Sequence, residues 1–389
     1  MRTIGVVTGT RADYGIYLPV LRKIKESPEL KLQLIVTGSH LMAGFGNTSN
    51  VIEDDGFHID ERVDMQINSD SPGAIAESMG FGTIGFSKAF TKNKPDILLL
   101  QGDRFEIHAA AVAALPFNIP VAHMHGGELT EGAIDDSLRH SITKLSHLHF
   151  VATEEYRDRV IQMGEAPWRV VVSGAPSLDN LNDMALLTRE ELESQTGLSL
   201  EKRPILVTFH PVTLEYQQTE WQVGEMLKAI QSSGHPTVFT APNADTGSRA
   251  IKQLIEEYVE ANPNAQLVDS LGTHRYYSLM ALASAMVGNS SSGLVEAPSL
   301  GLPVVNIGTR QHRRIRGPNV IDVGNTQEEI SRGIAQATDP AFAAKLAGLP
   351  NPYGEGNATT TIVEKLKSIQ LDDILIRKSF HDLPSQPSR

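Results

Sequence analysis

The stretch Asn289-Ser-Ser-Ser-Gly293, with Glu296 close behind, has the residue types of an anion site. Residues 285–307 read as a short buried strand, a Ser/Gly turn, a helix and a second strand. Ser290, Ser291 and Ser292 then fall where the helix begins. Free backbone N–H groups, hydroxyls and the positive end of the helix dipole converge there and hold anions such as phosphate. Glu296 cannot favour the anion, but its acceptor-only carboxylate suits vicinal hydroxyls such as a ribose diol. The set suggests a nucleotide-diphosphate pocket. Ordinary helix capping is the competing reading, and it is only half satisfied: a capping box puts the acid three residues after a Ser or Thr cap, and three before Glu296 stands Gly293.

The densest run of titratable groups extends from His123 to His140. Gly126 and Gly127 let the chain turn beside His123, His125 and Glu128, while Asp135 and Asp136 open a helix that carries Arg139 and His140. Carboxylates and imidazoles in one loop supply an acid and a base of different pKa. His-x-His with carboxylates also has metal-donor chemistry, but no H-E-x-x-H or other metal spacing occurs, and no metal is expected. The structural alternatives are favourable charge at a helix start for the aspartates and satisfied loop hydrogen bonds for the histidines. Placement at the end of another strand favours function.

Single groups recur at further strand ends. Asp103, in Gln101-Gly-Asp-Arg104, is either the N-cap of the Ala-rich helix 105–115 or a group at a strand's carboxyl end, where ligands collect in doubly wound sheets. Arg11 has the same position in Thr8-Gly-Thr-Arg-Ala-Asp13, where pairing with Asp13 in solvent is its simpler use. That turn is neither G-x-G-x-x-G nor a P-loop, so NAD and ATP motifs are absent from it. His210 terminates a strand that begins at Pro204, and Pro211 stiffens the turn that aims it at the cleft side. Arg310, Arg313, Arg314 and Arg316 locally reverse the acidic balance, and their forked donors suit a pyrophosphate. Tyr276 and Tyr277 start the helix 274–283, where a ring either stacks on a base or packs.

The elements that must position these groups are short apolar strands alternating with amphipathic helices. Leu18, Leu21 and Ile24 share one helical face between strands 4–8 and 32–36, which makes one βαβ unit. The pattern continues through strands at 96–100, 119–122, 148–152 and 170–173, breaks at a charged helical connection 178–200, and restarts. Alternation of this kind predicts an α/β fold with parallel sheets. At 389 residues one core no longer suffices, and two domains are expected, 1–177 and 178–365. A final helix and tail, 366–389, could pack back on the first domain, with Pro384–Arg389 frayed.

Composition narrows the function classes. The absence of Cys excludes disulfides, thiolate metal sites and a Cys nucleophile. A net charge of −12 without a long basic run argues against nucleic acid as partner. No apolar stretch reaches the roughly 18 residues of a membrane helix, and the N-terminal run is too short for a signal peptide, so a soluble cytoplasmic protein without membrane partners is expected.

With the Thr-Arg turn, Gln-Gly-Asp-Arg, the His-Gly-Gly-Glu loop, Thr-Phe-His-Pro and Gly-Asn-Ser-Ser-Ser-Gly...Glu-Ala-Pro-Ser-Leu-Gly in order, the chain resembles the UDP-N-acetylglucosamine 2-epimerases. Gly9-Thr-Arg-Ala-Asp-Tyr-Gly15 and Gly126-Gly-Glu-Leu-Thr-Glu-Gly-Ala-Ile-Asp-Asp136 look most like the hydrolysing branch of bacterial sialic and legionaminic acid synthesis. The resemblance implies two Rossmann-like doubly wound domains facing across a cleft, as in GT-B glycosyltransferases, a homodimer, and no metal or other cofactor. It implies loss of the C2 proton with elimination of UDP to a 2-acetamidoglucal, then addition of water to give free N-acetylmannosamine. By position it assigns Asp103, Glu128, Asp135 and His210 to acid/base work, Arg11 and Arg313 or Arg314 to the leaving diphosphate, Ser290, Ser291 and Ser292 to phosphate, Glu296 to the ribose and Tyr276 to the base. His125 stands where many relatives carry a glutamate, so the C2 base is Glu128, His125 or Asp103. A non-hydrolysing epimerase, a GT-B glycosyltransferase and a nucleotide-sugar sensor are the alternatives. UDP versus GDP, and N-acetylglucosamine versus a diacetamido-trideoxy sugar, are left open.

Overall fold

The computed structural model describes residues 1–42, 48–66, 69, 71–242, 247–268 and 271–383; the tail Pro384–Arg389 lies outside them. Two all-parallel sheets organise the chain. The first contains β1 (Arg2–Thr8), β2 (Leu30–Thr37), β3 (Glu61–Val63), β4 (Ile97–Gln101), β5 (Val121–Met124), β6 (Leu148–Val151) and β7 (Val170–Val172), in the order β3-β2-β1-β4-β5-β6-β7. The second contains β8 (Ile205–Thr208), β9 (Thr237–Thr240), β10 (Ala265–Val268), β11 (Ala285–Gly288), β12 (Val304–Ile307) and β13 (Val320–Val323), in the order β10-β9-β8-β11-β12-β13. Among the described residues no helix is long and apolar enough to cross a membrane.

Strand periodicity explains why each sheet is covered on both faces. Ile97 and Leu99 enter one apolar cluster and Leu98 and Leu100 another, because successive side chains point to opposite faces. Val207 and Leu206 divide in the same way in the second sheet. Each fully buried Leu or Ile contributes about 1.5–3 kcal/mol, so a strand that loses its two-faced apolar pattern loses its place.

Strand order then decides where a ligand fits. In both sheets the order reverses at the centre, between β1 and β4 and between β8 and β11. Such a reversal splays the following loops apart and leaves a crevice at the carboxyl ends. The loops leaving these four strands carry Arg11, Asp103, His210 and Ser290–Ser292. β11 approaches β8 so closely that a Cβ on Gly288, at φ +134°, would stand 2.0 Å from the Thr208 carbonyl oxygen. Only glycine fits there.

The sheets are joined beneath the crevice. Val151 and Tyr156 share an apolar cluster with Leu294, Val295 and Tyr353. The Tyr353 hydroxyl lies 3.0 Å from that of Tyr156 and donates to the Ile315 carbonyl at 2.7 Å. The chain finally returns to the first sheet. Ile362, Val363 and Leu366, on the helix Ala358–Ser368, pack with Ile4, Val6 and Leu21.

The last described segment is clasped by charge. Arg169 donates to the carbonyls of Ile374 at 2.6 Å and Leu375 at 2.8 Å. The Glu165 carboxylate, fully buried, receives Lys378 at 2.7 Å, Lys144 at 2.5 Å and His149 at 3.1 Å. Burial opposes ionisation of Glu165, yet these partners outweigh it and hold the carboxyl at about 2. Because the folded value lies below the ordinary one, this stabilisation is present at neutral pH and is lost as pH falls from about 4.5 towards 2. Lys378→Met should therefore lower unfolding stability by about 1–3 kcal/mol at pH 7, and move the acid-unfolding midpoint to higher pH. Urea titrations across pH measure both, and unchanged midpoints would refute the clasp.

Candidate active site

Two adjoining cavities, of about 200 and about 90 Å³, open between the sheets and share Ile16, Ser291, Glu296 and Arg310. The larger collects Arg11 from the first sheet's loops and His210, Tyr276 and Ser290–Ser292 from the second. The smaller is lined by Gln101, Asp103, His125, Glu128, Thr130, Arg139 and Arg314.

Hydroxyls and guanidinium groups, with little help from a helix dipole, give the larger cavity its anion chemistry. The helix expected after the serines is only Ser292–Val295, followed by a 3-10 turn Ala297–Leu300. Pro298 and Gly301 break it, and a macrodipole that sums over peptides is small over four residues. The amides of Gly293 and Leu294 are already spent on the carbonyls of Ser290, at 3.2 Å, and Ser291, at 2.9 Å. What converges instead are the hydroxyls of Ser290 and Ser292 with those of Tyr276 and Thr208; burial pushes the Tyr276 phenol up while these hydroxyls favour its charged form. Tyr276, expected at a nucleobase, thus has its polar end among the serines. Arg310 reaches the same wall and donates to the Asn289 carbonyl at 3.1 Å. Arg11 does not pair with Asp13 but donates to the Ala241 carbonyl at 3.0 Å.

Asn289 is the hinge of this wall. Fully buried, its side chain accepts from the His210 amide at 2.7 Å and donates to the His210 carbonyl at 2.8 Å. His210 is thereby fixed on the larger cavity, away from the lining of the smaller.

The smaller cavity is built around a buried carboxylate. Glu128 Oε1 lies 2.7 Å from His125 Nδ1, its other oxygen pairs with Arg314, and Arg139 stands 3.8 Å away. A carboxylate only accepts, so His125 carries its proton on Nδ1 and presents an unprotonated Nε2. That atom is buried without a hydrogen-bond partner among the described residues. Burial, with Arg139 and Arg314 nearby, pushes His125 down to about 4, so the ring is neutral at pH 7. Its backbone is left-handed, φ +61°, which is uncommon for a residue with a side chain and turns the imidazole out of the strand's alternation.

Asp103 is not an N-cap. Arg104 occupies that position, and the Asp103 carboxylate instead pairs with Arg139 and accepts from Thr130 at 3.4 Å. Arg139 also donates to the His125 carbonyl at 2.7 Å, so one guanidinium fixes both chemical groups. Neighbouring residues divide sharply between site and scaffold. His123 lies inside β5, with one ring nitrogen 2.7 Å from the Gly102 carbonyl and the other 3.2 Å from the Thr143 hydroxyl. Asp135 is buried at the start of the helix Asp135–Leu145, outside both linings. Arg313 is 68% exposed and pairs with Glu131 at 3.2 Å, so it does not join the cluster. Glu296 is buried on the shared wall beside Ser177, Ser292 and His125, and burial pushes its carboxyl up.

The residue pattern gives no role to Arg139 or Gln101, names Asn289 only as part of the serine stretch, and groups Arg310 with its neighbours. A charged residue within an amphipathic helix gives no signal of the cavity it faces. The others had a positional signal, Arg310 in the basic loop, Asn289 at the head of the serine stretch and Gln101 at the end of its strand.

The profile of the UDP-N-acetylglucosamine 2-epimerase family matches residues 22–367. The chain is 40% identical over 386 residues to polysialic acid biosynthesis protein P7 of Escherichia coli, covering 99% of this chain and 98% of that protein. It is 38% identical over 378 residues to the UDP-N,N'-diacetylbacillosamine 2-epimerase (hydrolyzing) of Legionella pneumophila, covering 97% and 99%. The fold matches that of the Neisseria meningitidis UDP-GlcNAc 2-epimerase bound to UDP-GlcNAc with a TM-score of 0.78, at 21% identity and covering 94% and 99%.

The geometry separates two arginines that share one loop. Arg310→Met should weaken UDP binding about 10–100-fold, as expected for a lost charge-assisted contact, whereas Arg313→Met should leave it within about twofold. Calorimetric titration with UDP checks both, and equal losses would refute this placement.

Proposed function

The chain belongs to the UDP-N-acetylglucosamine 2-epimerase family, and on that premise we propose that it is a hydrolysing 2-epimerase. It converts UDP-N-acetylglucosamine, or a closely related 2-acetamido nucleotide sugar, and water to the free 2-epimeric sugar and UDP. The observation that carries the chemistry is the unprotonated, unpartnered Nε2 of His125 next to the anion cradle. It takes the C2 proton; the C1–C2 double bond forms as the C1–O bond breaks, and UDP leaves with the electron pair. Ser290, Ser291, Ser292 and Arg310 hold the diphosphate, and Arg11 and Tyr276 complete that wall.

Glu128 orients His125 and stabilises the imidazolium that forms, the role a carboxylate has behind any catalytic histidine. Water then adds its hydroxyl to C1, and the proton it gives up passes through Asp103 to the face of C2 opposite His125, which inverts C2; the proton taken by His125 returns to solvent. Asp103, held by Arg139 and Thr130 in the same cavity, orients that water. Glu296, with its acceptor-only carboxylate, is assigned to the ribose. Hydrolysis, as opposed to return of the epimer to the nucleotide, is supported by the Legionella relative, whose name specifies it.

We place the enzyme in the cytoplasm as a homodimer. Phe81 and Ile84, one turn apart on the helix Pro72–Lys92, are 41% and 55% exposed and offer a dimer contact. A monomer in sedimentation at micromolar concentration would remove that part.

Incubation with UDP-N-acetylglucosamine, its GDP counterpart and the UDP-diacetamido-trideoxy analogue in deuterated water, followed by proton NMR, should show free 2-epimerised sugar with deuterium at C2. Epimer still joined to nucleotide, or no turnover of any of the three, would overturn the reading. His125→Gln should lower kcat by about 10²–10⁴-fold. Because the base works unprotonated, kcat/KM of the native enzyme should hold at neutral pH and fall as pH drops through about 4. A pH–rate profile unchanged in His125→Gln would refute this base.

A further inference from the structure

His125 Nε2 is not alone in lacking a partner on the wall of the smaller cavity. Gln101, the last residue of β4, is 6% exposed, and its Oε1 is buried without a hydrogen-bond partner among the described residues. Both side chains line the same cavity. Gln101 stands opposite Met124 in the β4–β5 register, and the Gly102 amide donates to the Met124 carbonyl at 3.1 Å. Gln101 and His125 therefore occupy adjacent strand ends, about 4.8 Å apart in the pairing direction.

Two buried acceptors side by side are costly unless something brings donors to them. No arginine of the cavity is hydrogen-bonded to either acceptor. Arg314 is held by Glu128, Arg139 by Asp103 and the His125 carbonyl, and Arg310 by the Asn289 carbonyl, and the Nε atoms of Arg139 and Arg314 are themselves without a hydrogen-bond partner among the described residues. A ligand that matches the pair presents a removable C–H to His125 and an adjacent N–H to Gln101, and C2 of a 2-acetamido sugar carries both. A neutral amide oxygen accepts this N–H without adding repulsion towards the diphosphate, as a carboxylate would.

We infer that Gln101 is the specificity-determining residue that accepts the acetamido N–H of the substrate and so restricts the enzyme to 2-acetamido nucleotide sugars. This rests on the hydrolysing-epimerase reading for the identity of the sugar carbon. It differs from that reading in what it requires, because discrimination at Gln101 is expressed in binding without turnover. A site built to hydrogen-bond a group rejects an analogue lacking it, since the buried partner is then left unpaired.

The test uses inert probes, the UDP-N-acetylglucosamine analogue with CH₂ in place of the anomeric oxygen and its counterpart with a 2-acetoxy group, which keeps the carbonyl but lacks the N–H. The native protein should prefer the acetamido probe by about 10–100-fold in Kd. Gln101→Leu should reduce that preference to within about threefold, with UDP binding within about twofold of native as the check on folding. Gln101→Glu, which retains a carbonyl acceptor, should keep most of the preference. No preference in the native protein, or an equal loss for both probes in Gln101→Leu, would overturn the inference. Preference without release of free sugar would sink the activity reading alone. Release of free sugar with a preference indifferent to Gln101 would sink only this one.

Discussion

A carboxylate buried between two sheets has to be neutralised, and in this protein the groups that meet Glu128 are the ones that line the smaller cavity. One oxygen fixes the tautomer of His125, and the other is paired with Arg314, which comes from the loop after β12. The ion pair therefore connects the loop after β5 of the first sheet to the arginine loop of the second. Removing Arg314 would leave Glu128 only the more distant Arg139, and removing Glu128 would leave the buried Arg314 guanidinium without its carboxylate. Breaking a buried pair in this way is costlier than the pair is stabilising. The two halves of the crevice are held in mutual register by the same carboxylate that fixes the tautomer of His125.

Arg139 extends this logic on the first-sheet side. Its guanidinium contacts Asp103 and the His125 carbonyl, so two groups from different strand ends share one fixed donor. The planar fork of arginine suits this bridging, whereas a lysine would offer a single point charge. On the second-sheet side Asn289 has the equivalent task, pinning His210 through its side chain and receiving Arg310 on its carbonyl. The anion cradle that results depends on hydroxyls and guanidinium groups. The amides of Gly293 and Leu294 are spent on the carbonyls of Ser290 and Ser291 and the helix is four residues long, so the cradle owes less to a helix dipole than the serine cluster suggested.

Much of this architecture was legible in the residue pattern. Short strands buried on both faces, alternating with amphipathic helices, leave few options besides parallel doubly wound sheets, and function-bearing residues were recognisable because they follow strands. Asp103, Glu128, His125, Arg11, Ser290–Ser292 and Glu296 all line the two cavities. The pattern was less informative where one residue type serves two purposes. His123 and His125 are separated by a single methionine, yet one is a satisfied strand residue and the other faces the cavity. A left-handed backbone at His125 makes the difference, and sequence periodicity does not encode it for a residue with a side chain.

The amino-acid sequence by itself determined most of the elements, their parallel alternation and the strand ends at which chemistry collects, because hydrophobic periodicity and Gly/Pro punctuation act locally; β3, β13 and the helix Pro72–Lys92 were not among the elements it marked. Only the tertiary structure decided which charges meet. Arg313 and Arg314 are neighbours in sequence, but one pairs with exposed Glu131 and the other with buried Glu128. Asp103 could have capped a helix and instead joins Arg139, 36 residues away. Long-range electrostatic pairing depends on where two sheets dock and which side chains burial forces together, and no spacing along one chain carries that information.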